Sequence, residues 1–313
     1  MSQREKTAVF GTGTIGAGQA VLLSGNSYPA VVMGHSPAGL ERCRKAVLQC
    51  WDDLIREGLA SEANKTAAMG LLRFTNDPAE LAGCTFVFEA VSEDREVKAA
   101  VYRQIADHCG PDAVIASCTS SIDAEILAEL APAPERLLIA HPFQPVHMLP
   151  LVEVVRHGAT AEGTFRRAVE LLEDLHRQVV VLQRSVPGFL VNRLAQALFR
   201  ESIYLIEQGV ATAADIDKAV KYAVGMRYAS IGLLEYFDAV GYQLESAIAE
   251  NVYPSLCRET GIQSLVKEGL ASGKTGQAAG QGLYDWSAID PDGFRLRKQS
   301  PYFSEVKKWN MPG

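Results

Sequence analysis

The first part of the chain alternates short apolar runs with longer segments in which apolar residues recur at helical spacing. Such runs are typical of strands buried on both faces, and the segments between them are typical of crossover helices. Strands and helices in alternation predict βαβ units around a mostly parallel sheet. The runs assigned to strands are TAVF, YPAVVMG, RFTND, CTFVFEAV, AVIASCTSS, RLLIAHPF and LPLVEVV.

The pattern changes after the segment RQVVVLQ. From Gly188 to about Glu268 the sequence is nearly all helical and has no strand signal of comparable strength. The pair Pro187–Gly188 interrupts regular secondary structure just before a long predicted helix. We therefore predict an α/β domain over residues 1–186 and an all-α domain over residues 187–313, with a polar surface extension beyond Trp286.

The segment AVFGTGTIGAG joins the first predicted strand to the first predicted helix and carries the pattern G-x-G-x-x-G. Gly11 permits a tight turn, Gly13 lets the backbone approach a pyrophosphate, and Gly16 lets helix and strand pack closely. The strand–turn–helix context makes the pattern more specific than a glycine-rich turn alone. It predicts a Rossmann-type domain that binds a dinucleotide, with Thr14 and Ile15 at the helix start beside the phosphates.

The end of the second predicted strand, VVMGHSP, bears on the choice of dinucleotide. An acidic residue normally binds the adenosine ribose here, but Gly34 stands in its place. Without that carboxylate the site does not repel a 2′-phosphate, and His35, Ser36 and Arg42 are candidates to contact one. The alternative is that Gly34 only completes a turn and that NAD binds without the usual ribose contact. NAD and NADP both stay open.

Composition and charge narrow the class of function. A net charge of −7 argues against a general nucleic-acid binder, which needs clustered Lys and Arg. The six cysteines form no C-x-x-C pair, so neither a metal site nor a disulfide framework is expected. The start MSQREKTAVF lacks the apolar core of a signal peptide, and no run of about 18 apolar residues suggests a membrane span. We expect a cytoplasmic protein that acts on a small molecule.

One histidine and one glutamate stand out in the segment IAHPFQPVHMLPLVEVV. His141 and Glu153 lie beside prolines in otherwise apolar sequence, in the two last strands predicted. One interpretation is a pair of buried strands whose polar residues are incidental. The other is a general base and the carboxylate that orients it, because imidazole titrates near neutral pH.

Several motifs together resemble those of the L-3-hydroxyacyl-CoA dehydrogenases. The motifs GTGTIG, EAVSEDREVK, SCTSS, HPFQPVHMLPLVEVV, VPGFLVNR and GQGLYDW occur in that family's order and spacing. The resemblance covers nearly the whole chain and extends to relatives that act on free hydroxy acids, L-gulonate 3-dehydrogenase (lambda-crystallin) and L-carnitine dehydrogenase. It implies an oxidoreductase that moves a hydride between a 3-hydroxyl carbon and NAD or NADP.

The resemblance also implies roles for individual residues. His141 matches the base that takes the proton of the 3-hydroxyl, and Glu153 matches the acid that pairs with this base. Ser120 matches a serine that hydrogen-bonds the substrate oxygen, although a helix N-cap is an equal interpretation. Asn192 matches a substrate-contacting asparagine. On the cofactor side, the matching residues are Glu93 and Lys98.

Departures from the family pattern concern the substrate. The family usually has Asn where this chain has Gln144, and often Asn where it has Cys118. A turn that contains His-Pro in acyl-CoA members reads GMRY here, which is closer to the gulonate and carnitine relatives. Arg227 in this turn is suited to bind a carboxylate bidentately. Pairing with a neighbouring acid, or a subunit contact, is an equal interpretation of Arg227.

The sequence thus predicts reversible oxidation of an L-3-hydroxy group to a ketone. A short 3-hydroxyacyl-CoA is the first substrate considered, which would place the protein in fatty acid metabolism, and a free 3-hydroxy acid is the alternative. A reductase that works mainly with NADPH is a further alternative. Outside enzymes, the rival is a nucleotide-binding structural or sensing protein.

The long helix NRLAQALFRESIYLIEQG predicts a homodimer. A helix that packs on its own domain alone needs only one apolar stripe. This helix has more apolar positions than that, so part of it is expected to face a second copy of the chain. These positions are Leu194, Ala197, Leu198, Ile203, Leu205 and Ile206.

Overall fold

The computed structural model describes residues 5–309, so residues 1–4 and 310–313, at the outer ends of the two predicted domains, lie outside the described residues. An eight-stranded sheet has the order β3-β2-β1-β4-β5-β6-β7-β8. All neighbouring strands are parallel except β6 and β7, which are antiparallel. The strands are β1 Thr7–Phe10, β2 Ala30–Met33, β3 Leu72–Thr75, β4 Phe86–Glu89, β5 Val114–Ser117, β6 Leu137–Pro142, β7 Leu151–Val155 and β8 Gln178–Val181.

The seven predicted strands and the mostly parallel sheet are confirmed, and the reason lies in the burial of the sheet. Successive residues of a strand point to opposite faces. On β1, Ala8 and Phe10 pack in one apolar cluster and Val9 packs in another. On β4, Val87 joins the first cluster and Phe88 the second. Because both faces are buried, the strands read as continuous apolar runs.

Helices cover both faces of the sheet. The longest of them starts at a side-chain cap, where the Ser36 hydroxyl accepts the backbone N–H of Gly39 at 3.2 Å. Its buried stripe contains Cys43, Val47 and Trp51. The helices between the strands are α1 Thr14–Gly25, α2 Pro37–Arg56, α3 Glu62–Gly70, α4 Arg95–His108, α5 Ala124–Leu130 and α6 Glu162–Asp174.

The chain divides into two compact units, Met1–Leu190 with Arg297–Gly313, and Val191–Leu296. The helices that follow the sheet are α7 Val191–Glu207, α8 Ala213–Ala219, α9 Met226–Ser230, α10 Leu233–Val240, α11 Tyr242–Val252, α12 Ser264–Ala271 and α13 Pro291–Trp309. The described part of the second unit contains isolated β-bridges but no strand. The predicted all-α region is confirmed, while the predicted boundary between residues 186 and 187 stays a prediction.

The segment beyond Trp286 differs from the expected surface extension. It forms helix α13, and the later part of this helix belongs to the first unit. Phe303 is buried with 3% of its surface exposed, although most of its neighbours are polar. The polar composition of this segment gave no sign of a helix or of a buried residue within it.

The turn between β1 and α1 places different demands on its glycines. Gly11 has a φ of +123°, and a Cβ there would lie 2.2 Å from the carbonyl oxygen of Ala90. Gly13 has an ordinary φ of −80° and nothing within 4 Å of the position of a Cβ. Space and backbone conformation therefore require glycine at position 11, whereas the fold by itself does not require it at position 13.

We expect Gly11→Ala to lower the free energy of unfolding by about 2 kcal/mol or more, since the added methyl group meets backbone atoms. Gly13→Ala is the matched control and should lower the same free energy by less than about 1 kcal/mol. Urea denaturation followed by circular dichroism measures both. Equal losses in the two variants would contradict this account of the turn.

Candidate active site

A histidine and a glutamate face each other across neighbouring strands. His141 lies on β6 and Glu153 lies on β7, directly opposite in the antiparallel register. Residues opposed in this way project to the same face with Cβ atoms about 5 Å apart. The Nδ1 atom of His141 lies 2.9 Å from Oε2 of Glu153. The segment between them turns the chain back, so that residues distant in sequence become partners.

Both carboxylate oxygens of Glu153 are engaged, which holds the carboxylate in place. Its Oε1 accepts the backbone N–H of Leu190 at 2.8 Å, and the side chain is fully buried. A carboxylate on Nδ1 fixes the tautomer that carries its proton there. The Nε2 atom of His141 has no hydrogen-bond partner among the described residues. It is therefore the atom available to accept a proton.

Aromatic rings flank the imidazole. The ring of Phe143 lies 4.6 Å from the ring of His141, and the ring of Phe189 lies 5.5 Å away, centroid to centroid. His141 is buried, with 6% of its surface exposed. These rings fix the plane of the imidazole and limit access of water to it. The imidazole is thus held in one orientation within largely apolar surroundings.

A second carboxylate organises the ends of β4 and β5. Glu89 is fully buried, and its Oε1 accepts Nζ of Lys98 at 2.8 Å and the backbone N–H of Val91 at 3.0 Å. Its Oε2 accepts the hydroxyls of Tyr102 at 3.0 Å and Ser117 at 2.6 Å. Without such partners, burying this charge would cost several kcal/mol. Burial and the charge of Glu89 raise the pKa of Tyr102, so this phenol stays a hydrogen-bond donor.

Glu93 connects this network to the loop after β5. Its carboxylate accepts the hydroxyl of Thr119 at 2.8 Å and the backbone N–H of Ser120 at 2.8 Å, and it lies 3.5 Å from Nζ of Lys98. Partial burial raises the pKa of Glu93, but these hydrogen bonds and the charge of Lys98 together bring it below its ordinary value. Glu93 is thus a fixed anion that positions the segment of Ser120.

A cleft of about 950 Å³ lies along the carboxyl ends of β1, β2 and β4. The open space above Gly13 leaves its backbone accessible to a ligand, as a pyrophosphate needs. Apolar side chains such as Val97 and Val101 line another part of the wall. The cleft therefore fits a dinucleotide. Seven of the predicted site residues line it, namely Gly11, Gly13, Thr14, Ile15, Gly34, His35 and Gln144.

Four other predicted cofactor residues are not among the residues that line the cleft. Gly16 allows the helix to approach, because a Cβ there would lie 2.1 Å from the carbonyl oxygen of Gly11. Ser36 caps α2. Glu93 and Lys98 belong to the buried network. Their direct contact with a cofactor stays a prediction.

Asn192 and Arg227 belong to the second unit, apart from the His141–Glu153 dyad in the first. Asn192 lies in the first turn of α7 and is half-buried. Arg227 is exposed, and its guanidinium stacks 4.4 Å over the ring of Tyr236. Their predicted roles at the substrate stay predictions.

Two residues of the site were not found from the sequence. Glu89 ends the apolar run FVFE, and a charge that closes a buried strand was the available signal. Thr12 lines the cleft between two glycines of the turn, where attention goes to the glycines. Thr12 lies beside Gly34 and Gly39, and this proximity arises only because the fold brings the end of β2 and the start of α2 next to the turn.

The departure at Cys118 leaves a neutral group beside the site. Burial, followed by the charge of Glu89, raises the pKa of its thiol to about 12. Gln19 contacts the sulfur with its Nε2 atom at 3.8 Å. A protonated thiol at this position is neither a nucleophile nor a metal ligand.

No group of three or more His, Cys, Asp or Glu side chains within residues 5–309 is arranged to hold a metal ion. In the same stretch of chain, none of the helices combines the length and the hydropathy that crossing a bilayer demands.

Comparison with known proteins identifies the family. A model described as "3-hydroxyacyl-CoA dehydrogenase, NAD binding domain" matches residues 6–185. A second, described as "3-hydroxyacyl-CoA dehydrogenase, C-terminal domain", matches residues 188–286. Helix α13 lies wholly beyond both matches.

Individual relatives have different named substrates. L-carnitine dehydrogenase of Staphylococcus epidermidis is 36% identical over 238 residues, which are 75% of this chain and 73% of the relative. The crystal structure of 5-formyl-3-hydroxy-2-methylpyridine 4-carboxylic acid 5-dehydrogenase, an NAD+ dependent dismutase, superposes with a TM-score of 0.88 at 29% identity, covering 96% of this chain and 97% of that one. For (S)-3-hydroxybutyryl-CoA dehydrogenase from Ralstonia eutropha the TM-score is 0.74 at 26% identity, with 91% and 99% covered.

The resemblance noted from sequence motifs is thus confirmed. The sheet carries the dinucleotide turn, the histidine–glutamate dyad lies on its antiparallel pair, and two family models together account for most of residues 6–286. This chain belongs to the 3-hydroxyacyl-CoA dehydrogenase family.

Proposed function

We propose that this protein oxidises the hydroxyl group of a small free hydroxy acid, reversibly, with NAD or NADP as hydride acceptor. As a member of its family it is an oxidoreductase that acts on CH–OH groups. The observation that carries the proposal is the His141–Glu153 dyad, with Nδ1 bound to carboxylate and Nε2 left to accept a proton. A structural or sensing protein would not need this arrangement.

In the proposed reaction each residue of the site has a separate role. The substrate hydroxyl donates a hydrogen bond to Nε2 of His141, and its proton passes to this nitrogen as the carbon loses hydride. When bound, the nicotinamide ring supplies the hydride acceptor. Glu153 stabilises the imidazolium that forms. The hydroxyl of Ser120 lies 3.4 Å from Glu93, a weak contact that leaves it able to bind the same substrate oxygen. Reduction follows the reverse course.

A free carboxylate on the substrate is favoured by the similarity to known proteins and by one side chain. The carnitine and pyridine carboxylate relatives are named for free acids. The TM-score of 0.88 to the second exceeds the 0.74 to the hydroxybutyryl-CoA enzyme. Arg227 is exposed and makes no ion pair with any described carboxylate, so its charge is available to a substrate anion.

A short 3-hydroxyacyl-CoA is the second candidate substrate. The family description and the Ralstonia eutropha enzyme favour it. The catalytic step at His141 would be the same, because the dyad contacts the hydroxyl and not the far end of the substrate. The two candidates differ at the carboxyl carbon, which carries a free carboxylate in one and a CoA thioester in the other.

Activity measurements distinguish the two substrates. We expect reduction of free acetoacetate to exceed that of acetoacetyl-CoA at equal concentration, each assayed with NADH and NADPH.

His141→Ala should lower kcat by roughly 10²- to 10⁴-fold while cofactor binding persists, since the base is lost and the cleft is not. Arg227→Gln should raise KM for the free acid, because the carboxylate loses its partner. Arg258→Gln alters another exposed arginine of the same unit and is the control.

Turnover with the thioester alone would contradict the free-acid proposal and favour the second candidate. Turnover unchanged in His141→Ala would contradict the assignment of the base. An Arg227→Gln variant that behaves like Arg258→Gln would remove Arg227 from the substrate site.

We also propose that two copies of the chain form a dimer through the second unit. Among the described residues of this unit, the buried apolar side chains are Ile203 and Cys257 alone. A helical unit with so small a core normally buries its apolar surface against a partner. On α7, Leu194 and Leu198 are about half exposed and lie one turn apart. Further exposed apolar residues are Phe199, Leu234, Tyr242, Leu244 and Ile248.

Sedimentation velocity tests the dimer. The sedimentation of the wild-type protein should correspond to a mass twice the 33.9 kDa of the chain. The double variant Leu194→Glu/Leu198→Glu should shift toward the monomer, because two charges enter an apolar contact. Gln196→Glu adds charge on another face of the same helix and should leave the mass unchanged. A wild-type monomer would refute the proposal.

A further inference from the structure

We propose that Thr12, Ser36 and Arg42 form a subsite for the 2′-phosphate of NADP, so that this chain prefers NADP to NAD. The proposal rests on the proposed nicotinamide-dependent function and names its cofactor. It assigns a binding role to Thr12, whose hydroxyl lies beside the end of β2 and the start of α2.

The first observation is that glycine stands at position 34, where an acid selects NAD, and that two side chains pack against it. A Cβ on Gly34 would lie 2.6 Å from Cγ2 of Thr12 and 2.8 Å from Cδ2 of Leu40. Any Asp or Glu there would have to displace both side chains. Gly34 therefore brings no carboxylate that would repel a 2′-phosphate, and a larger residue there requires Thr12 and Leu40 to shift.

The second observation is that three donor groups converge beside Gly39. The position of a Cβ on this glycine lies 3.1 Å from Oγ1 of Thr12, 3.1 Å from Oγ of Ser36 and 3.8 Å from Nη2 of Arg42. Two hydroxyls and a guanidinium thus lie around one point, so closely that even a methyl group on Gly39 would crowd the two hydroxyl oxygens. Hydroxyl and guanidinium donors of this kind suit the oxygens of a phosphate.

The charge around this space also favours an anion. The first turn of α2 contains no acidic residue, and the positive end of this 20-residue helix lies at the subsite. The closest acid along the helix, Glu41, is 3.9 Å from Lys45. Arg42 makes no ion pair with a carboxylate of the described residues, so its charge is not neutralised. A 2′-phosphate would meet attraction from the helix end and from Arg42.

The position of the subsite relative to the cleft matches that of an adenosine ribose. Gly34 and His35 line the cleft at the end of β2, and Thr12 lines it from the glycine turn. A dinucleotide with its pyrophosphate on this turn extends its adenosine toward the end of β2. A phosphate on the ribose would then reach these three donor groups from the cleft, and the exposed residues His35 and Arg42 can approach it from solvent.

Binding of cofactor fragments tests the subsite without reference to turnover. Isothermal titration calorimetry with 2′,5′-ADP and 5′-AMP compares ligands that differ by the 2′-phosphate. We expect the wild-type protein to bind 2′,5′-ADP at least roughly tenfold more tightly, and NADPH more tightly than NADH, because charge-assisted hydrogen bonds form only with the phosphate. Equal affinities for the two fragments would overturn the proposal.

Single substitutions show which residues bind the 2′-phosphate. Arg42→Gln and Thr12→Val should each weaken binding of 2′,5′-ADP, by roughly tenfold for the charge, and leave 5′-AMP unchanged. Arg44→Gln removes another exposed arginine of α2 and is the matched control. If Arg44→Gln has the same effect as Arg42→Gln, only the general positive charge of the helix matters, and the assigned residues are wrong.

The binding and turnover measurements test the phosphate subsite and the proposed reaction independently. Selective binding of 2′,5′-ADP with no turnover of hydroxy acids would leave the subsite standing and refute the reaction. Turnover of hydroxy acids with NADH, at an affinity equal to that for NADPH, would leave the reaction standing and refute the subsite.

Discussion

The antiparallel pairing of β6 and β7 is the constraint on which the His141–Glu153 dyad depends. In an otherwise parallel sheet, neighbouring strands have to be joined by long crossovers, whereas one reversal of direction places two nearby segments side by side. Here the reversal sets His141 opposite Glu153 with their side chains on one face. The hydrogen bond of 2.9 Å between them follows from the register. A shift of one residue in this pairing would turn one side chain to the other face and abolish the dyad.

The carboxyl edge of the sheet is held together by buried charge as well as by apolar contacts. Glu89 accepts hydrogen bonds from Lys98, Tyr102 and Ser117, which come from α4 and β5. A buried carboxylate tolerates few alternative geometries, since each lost partner carries a desolvation cost. The loop of Ser120, tied to the same network through Glu93, is therefore placed by electrostatics rather than by its own short sequence.

The two ends of the dinucleotide cleft differ in how they restrict a ligand. At the glycine turn the restriction is steric, because Gly11 and Gly16 permit backbone approaches that any Cβ would block. At the end of β2 it concerns charge, because glycine stands where an acid is expected and the side chains of Thr12 and Leu40 pack against it. The same turn residue, Thr12, thus takes part in both the shape of the cleft and the proposed selection of the cofactor.

Local sequence was sufficient for features that depend on burial or on backbone conformation. The apolar runs predicted seven strands because a sheet covered on both faces requires such runs, and the glycine turn was predicted because its close contacts require glycine. From the residues alone the dyad was one of two interpretations, and the family motifs decided between them, since nothing local in the segments of His141 and Glu153 indicates that they pair. The short helices α3, α5 and α6 were not delimited, because tertiary packing supplies most of their stability.

Tertiary structure alone decided the features that depend on which segments meet. The partners of Glu89, the donors around Gly39 and the burial of Phe303 in α13 each join residues from separate elements. The sequence by itself determined the fold class, the dinucleotide turn and the residue types of the dyad. It did not determine these contacts, because side chains far apart along the chain become neighbours only through strand register and helix placement.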